Sequence, residues 1–65
     1  MKIRIELISF NLEIISGIKE NNLKLESRKE SPNGYEDLEI SGSEKDLLNF
    51  FYQINYDDEL SPYII

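Results

Sequence analysis

Asp57, Asp58 and Glu59 come first, because three consecutive carboxylates supply the hard oxygen ligands that Ca²⁺ and Mg²⁺ require. A calcium loop sets its acids at alternate positions around a central glycine and closes with a distal Glu, and that spacing is missing here. A solvated acidic segment following a helix explains the run more simply. Paired carboxylates also act as the acid and base of glycosidases, but that chemistry needs a cleft, which a 65-residue chain rarely provides beside its own core. His and Cys are absent, which removes the usual neutral-pH acid/base, the commonest zinc ligands, cysteine nucleophiles and disulfides. No phosphate-binding glycine loop and no nucleophile elbow is present. The sequence therefore reads as non-enzymatic, with no catalytic residue, no cofactor and no metal site.

A second acidic constellation points to binding. Asp37 and Glu39, two apart on an extended segment, place carboxylates ~6.6 Å from each other, comparable with neighbouring phosphates on a nucleic-acid strand. Glu36, Glu44, Asp46 and the run Asp57, Asp58, Glu59 can extend the array. Such a surface fits a basic groove on a nucleic-acid enzyme, releasing counterions as DNA does and accelerating encounter. Acidic surfaces also simply keep small proteins soluble. Tyr35, Tyr52, Tyr56 and Tyr63 are amphipathic aromatics of the kind that anchor interfaces, with Tyr35, Tyr56 and Tyr63 favoured here as anchors. Leu60, Tyr63, Ile64 and Ile65 form a terminal apolar group suited to packing on its own domain, or to adding an edge strand to a sheet, its own or that of another chain. Lys24, Arg28 and Lys29 are interleaved with acids, so cross-strand ion pairs account for them better than RNA contact does.

The elements that position these residues follow from periodicity. Ile3, Ile5 and Leu7 alternate with Lys2, Arg4 and Glu6, the period-2 pattern of a half-buried strand, expected over 2–9. Residues 12–20 alternate again, with Leu12, Ile14 and Ser16 opposite Glu13, Ile15 and Gly17. A helix through Ile3, Leu7, Phe10, Ile14 and Ile18 is the alternative, disfavoured by so many β-branched side chains. Asn21-Asn22 suits a two-residue hairpin turn, giving strands over 12–20 and 23–30. Ser31-Pro32-Asn33-Gly34 is a strong turn signal before a strand over 35–41. Ser43 then begins a capped helix over 44–55, with Leu47, Phe50, Phe51 and Ile54 on one face and Leu48 with Tyr52 on the next. Residues 56–65 form an irregular acidic tail. The expectation is a single α+β domain over 1–65, a small antiparallel β-meander of three or four strands packed by one C-terminal α-helix. Its core comprises Ile3, Ile5, Leu7, Leu12, Ile14, Leu23, Leu25, Leu38, Ile40, Leu47, Phe50, Phe51 and Ile54.

The net charge of −6 disfavours direct contact with nucleic acid or an anionic membrane. It is unevenly spread. Residues 1–30 carry six basic and five acidic side chains, whereas 31–65 carry only Lys45 against eight acids. No signal-peptide pattern and no membrane-length apolar run occurs, so a soluble cytoplasmic protein is expected. In size and charge the chain resembles small phage or mobile-element inhibitors, including anti-CRISPR and DNA-mimic proteins. That resemblance covers no motif, and it implies a role without implying site residues. The reading is an acidic protein-binding module that inhibits a larger partner with a basic surface, such as a nuclease, in the host cytoplasm if phage-encoded. An immunity- or antitoxin-like partner of a toxic nuclease and a homo-oligomeric (for example dimeric) structural subunit are the alternatives.

Overall fold

A computed structural model describes all 65 residues. In chain order they form β1 (Lys2–Leu7), α1 (Leu12–Glu20), β2 (Lys24–Glu30), β3 (Glu36–Ser41), α2 (Glu44–Gln53) and a short 3-10 helix, Ser61–Tyr63. The protein is thus α+β, a three-stranded antiparallel sheet with two helices.

The segment expected as a second strand is α1, and its local chemistry explains the difference. Asn11 caps the helix by accepting from the Ile14 N–H at 3.2 Å. Phe10, just before the cap, and Ile15, four residues into the helix, line one cleft, the arrangement of a hydrophobic staple. Ile14, Gly17 and Ile18 are the buried positions, at helical spacing. Each Ile costs the helix about 0.5 kcal/mol relative to Ala, while burying an Ile side chain yields about 1.5–3 kcal/mol. Packing therefore overrides the β-branched preference. Asn21-Asn22 accordingly ends a helix instead of turning a hairpin. Asn22 takes φ 55°, its N–H donates to the Lys19 carbonyl, and the Leu23 N–H reaches back to Ile18 at 2.9 Å.

A helix between β1 and β2 also rules out a meander. The crossover brings β2 back to the end from which β1 started, so the two run parallel, and β3 fits antiparallel between them in the order β1-β3-β2. Lys2 and Lys24 both flank Ser41, and Leu7 and Glu30 both flank Glu36. The β2–β3 turn matches its sequence signal: the Gly34 N–H donates to Ser31 at 3.0 Å, and Gly34 adopts φ 87°. Side chains alternate across the sheet, with one register irregularity between Leu25 and Ser27. Ile3, Ile40, Leu25, Ile5 and Leu38 face the helices. Lys2, Arg4, Glu6, Lys24, Glu26, Lys29, Asp37 and Glu39 face away.

The buried core joins Ile3, Ile5, Leu38 and Ile40 of the sheet to Ile14 and Ile18 of α1, Leu47, Phe50 and Phe51 of α2, and Leu60. Leu12, expected in the core, is 79% exposed, because it is the first residue of α1 and points away from the sheet. Ile18 and Leu60 take part in its stead. Residues 56–65 are not a loose tail: Leu60 is buried, and Ile64 forms an antiparallel bridge to Ile3. No helix is long and apolar enough to cross a membrane.

Candidate functional site

The ten residues singled out by sequence fall on different faces. Asp37 and Glu39 lie on the open face of the sheet, away from both helices. There Glu39 is held by Arg4 at 2.8 Å and Lys2 at 3.7 Å, and the hydrogen bond from Arg4 lowers its carboxyl pKa from the ordinary value. Asp37 sits in register between Lys29 and Glu6. Four cations (Lys2, Arg4, Lys24, Lys29) meet four carboxylates (Glu6, Glu26, Asp37, Glu39) on this face. Of the phosphate-like pair, Glu39 is neutralised by Arg4 and Lys2, while Asp37 makes no ion pair.

Glu26 accepts from the Ser41 hydroxyl at 2.7 Å, which lowers its pKa, and pairs with Lys24 at 3.8 Å. Arg28 forks Glu36 at 3.0 and 3.2 Å and stacks over the Phe10 ring, 4.4 Å from its centre. Phe10 itself packs against the core, and the hydrogen bond from Arg28 lowers the Glu36 pKa while raising that of Arg28. These four ion pairs are all there are, and every one joins sheet residues.

The acids of α2 and the segment after it are in a different state. Glu44 and Asp46 occupy the first turn of α2, where the helix dipole favours negative charge, and Ser43 caps that turn by accepting from the Asp46 N–H at 3.1 Å. Asp57, Asp58 and Glu59 follow the other end of the helix. None of these five makes an ion pair. Asp57 instead accepts from the Tyr63 hydroxyl at 2.6 Å and the Asp58 N–H at 2.7 Å. The shared Tyr63 proton lowers the Asp57 pKa and pushes Tyr63 up to about 12. The run does not converge on a point, and no group of three or more acidic side chains is placed to hold a metal ion.

Tyr56 and Tyr63 pack with Phe51 in a mutually tilted cluster, ring centres 5.0–5.4 Å apart, and the Tyr56 hydroxyl donates to the Glu6 carbonyl at 3.3 Å. Both are fastened to the domain. Tyr35 is exposed just after the β2–β3 turn. Tyr52 is the least restrained aromatic: 61% exposed, it lines two adjoining depressions. One, of ≈ 580 Å³, also includes Glu44, Lys45, Leu48 and Asn49. The other, of ≈ 270 Å³, adds Asn55, Tyr56, Asp57 and Asp58. Tyr52 thus joins the acids at both ends of α2 into one surface. Its place was legible as the i to i+4 pair with Leu48, outside the core stripe, which a buried helix face does not require.

Compared with family models, with curated proteins and with solved structures, the chain finds no match.

Proposed function

We propose that this protein is a non-enzymatic acidic binding module that docks on a basic surface of a larger protein through the outer face of α2 and the segment after it. The observation that carries this reading is the distribution of neutralisation. The chain's ion-pairing cations, Lys2, Arg4, Lys24 and Arg28, are all committed to the sheet, while Glu44, Asp57 and Asp58 line the depressions that Tyr52 joins, with only Lys45 as a cation among them, and none of these acids makes an ion pair. Unpaired carboxylates steer encounter with a positive partner, and an exposed aromatic with a neighbouring Leu supplies the desolvated centre that charge alone does not. A nucleic-acid-binding groove is the kind of basic surface such a module would obstruct, which makes inhibition its consequence. The docking face proposed here includes Glu44, Asp57 and Asp58 and leaves out Asp37 and Glu39.

The test is capture from host lysate with the tagged protein, comparing wild type with Glu44→Lys/Asp58→Lys, Tyr52→Ala and Asp37→Lys. Both acidic positions in the double variant are exposed and lack side-chain partners, so its fold is expected to survive. Capture is expected to fail for the double variant, to weaken for Tyr52→Ala and to persist for Asp37→Lys, with heparin eluting the captured protein. Capture indifferent to the double variant, or resistant to heparin, would overturn the reading.

A further inference from the structure

The two helices end in opposite electrostatic states. Lys19 stands in the last turn of α1, where the negative end of the helix dipole favours a cation, whereas the last turn of α2 holds no basic residue. Asp57, Asp58 and Glu59 then add negative charge to that end. Asn55 takes left-handed φ 56° and turns the chain back, so that the Tyr56 N–H closes on the Phe51 carbonyl at 2.9 Å. The turn leaves a cleft of ≈ 270 Å³ lined by Phe51, Tyr52, Asn55, Tyr56, Asp57 and Asp58. Half of these residues are aromatic, two carry carboxylates and none is a cation.

We propose that this cleft at the C-terminal end of α2 seats a guanidinium, the tip of an arginine side chain on the basic partner. The inference rests on the docking reading above and names the group that the surface grips. Charge selects a cation: two carboxylates and an uncompensated helix end face the cleft together. Size selects a side chain, since the cleft is smaller than the roughly 300–1,000 Å³ common for pockets that take organic ligands. Shape selects the guanidinium. It is flat and carries donors at its edge, so it can lie on a ring face while its N–H groups reach a carboxylate. A quaternary ammonium has no N–H to give and needs rings on several sides. Phe51 is fully buried and forms the floor, which leaves Tyr52 and Tyr56 alone to present ring surface.

Most of the lining is fixed before anything binds. The Tyr56 ring packs on Phe51 at 5.0 Å and on Tyr63 at 5.3 Å, and its hydroxyl is tied to the Glu6 carbonyl. Asp57 is held by the Tyr63 hydroxyl and the Asp58 N–H, one on each oxygen, and each oxygen keeps a further lone pair for an incoming donor. A site held in this way loses little freedom on binding.

Titration of the isotopically labelled full chain with acetyl-arginine amide, at low ionic strength, tests the site without any partner. Saturable amide shifts centred on Tyr52, Asn55, Asp57 and Asp58 are expected, and none from acetyl-citrulline amide, the uncharged isostere. Acetyl-lysine amide and tetramethylammonium are expected to bind more weakly than the arginine probe. Tyr52→Ala is expected to weaken arginine binding about two- to fivefold, the range for one exposed cation–π contact, while Tyr52→Phe retains it. Asp58→Asn is expected to weaken it about twofold or more. Asp37→Asn, the same change of charge on the open face of the sheet, leaves it unchanged. Absence of saturation, shifts spread over the other acids, equal binding of the lysine amide or of tetramethylammonium, or indifference to both Tyr52→Ala and Asp58→Asn would each overturn the proposal. The two readings fail separately: a silent probe with charge-dependent capture removes only the guanidinium seat, and a binding probe with indifferent capture removes only the docking reading.

Discussion

Gly17 shows how closely the two helices approach. A Cβ built there would lie 2.9 and 3.0 Å from Phe50 ring carbons, and Phe50 is fully buried, so the ring has no free space to enter. In a helix interior, Gly→Ala ordinarily stabilises by about 1 kcal/mol. Forcing an extra methyl into a packed core costs about 1–3 kcal/mol. The second effect wins at this position, and Gly17→Ala is expected to destabilise the protein by about 1 kcal/mol. Urea unfolding measures it: a lowered midpoint at unchanged slope is the expected outcome, and a raised midpoint would show that α1 and α2 stand further apart than described. The signal was present in the sequence only as an unexplained Gly amid apolar residues. Its meaning required knowing that α2 crosses α1 at that point.

At the scale of elements, the two helices end by the same device, and it was the most misleading feature of the sequence. Asn22 and Asn55 both take left-handed φ, 55° and 56°. Behind each, a backward hydrogen bond closes the last turn: Leu23 to Ile18 and Tyr56 to Phe51, both at 2.9 Å. Each bond brings an apolar pair together, and for Phe51 with Tyr56 the rings stack at a tilt. Asn is tolerated in this conformation and Gly is preferred, since Ala pays a left-handed penalty of about 1 kcal/mol. Asn22→Gly is therefore expected to be neutral or slightly stabilising and Asn22→Ala to cost about 1 kcal/mol, read from thermal or urea midpoints. Asn in a hairpin turn requires the same φ as Asn ending a helix, so residue type alone did not separate the two. Strand β1, the Ser31–Gly34 turn, β3 and α2 were legible because their local signals and their burial agree. For α1 they conflict, since alternation and β-branched Ile argue for a strand while the Asn11 cap and the 14, 17, 18 spacing argue for a helix. The acids of the candidate surface were visible in the sequence. The neutralisation of Glu39 on β3 was not, because it depends on β1 lying beside β3 and bringing Arg4 to Glu39.

Across the whole molecule, the ion pairs and the unpaired acids of the α2 side occupy different parts of the fold, with every pair on the sheet. The molecule measures 31 × 24 × 20 Å, and charge is screened over about 8 Å at physiological ionic strength. Charge on one face is therefore felt only weakly on the opposite one. What couples the acidic surface to the sheet is the hydrogen bond from Tyr63 to Asp57, because Tyr63 precedes the segment that covers the β1 edge. The pH dependence of this latch has a definite sign. Asp57 has a depressed carboxyl pKa in the folded state, so its contribution is full above the unfolded value and is lost as pH falls through the folded one. Tyr63 is raised from 10.0 to about 12, so the protonated phenol favours the closed segment below pH 10, and that contribution is lost as pH climbs to about 12. The β1 edge is consequently covered most firmly between the carboxylate range and pH 10, and it loosens on either side. Amide exchange at Ile65, whose N–H is held by the Lys2 carbonyl, reports the opening directly. After correction for intrinsic exchange, its protection is expected to fall in acid and above pH 10 while that of β3 amides persists, and Tyr63→Phe is expected to lower it at neutral pH as well. Protection at Ile65 that follows global unfolding at every pH would mean that the closing segment is part of the core and has no latch of its own.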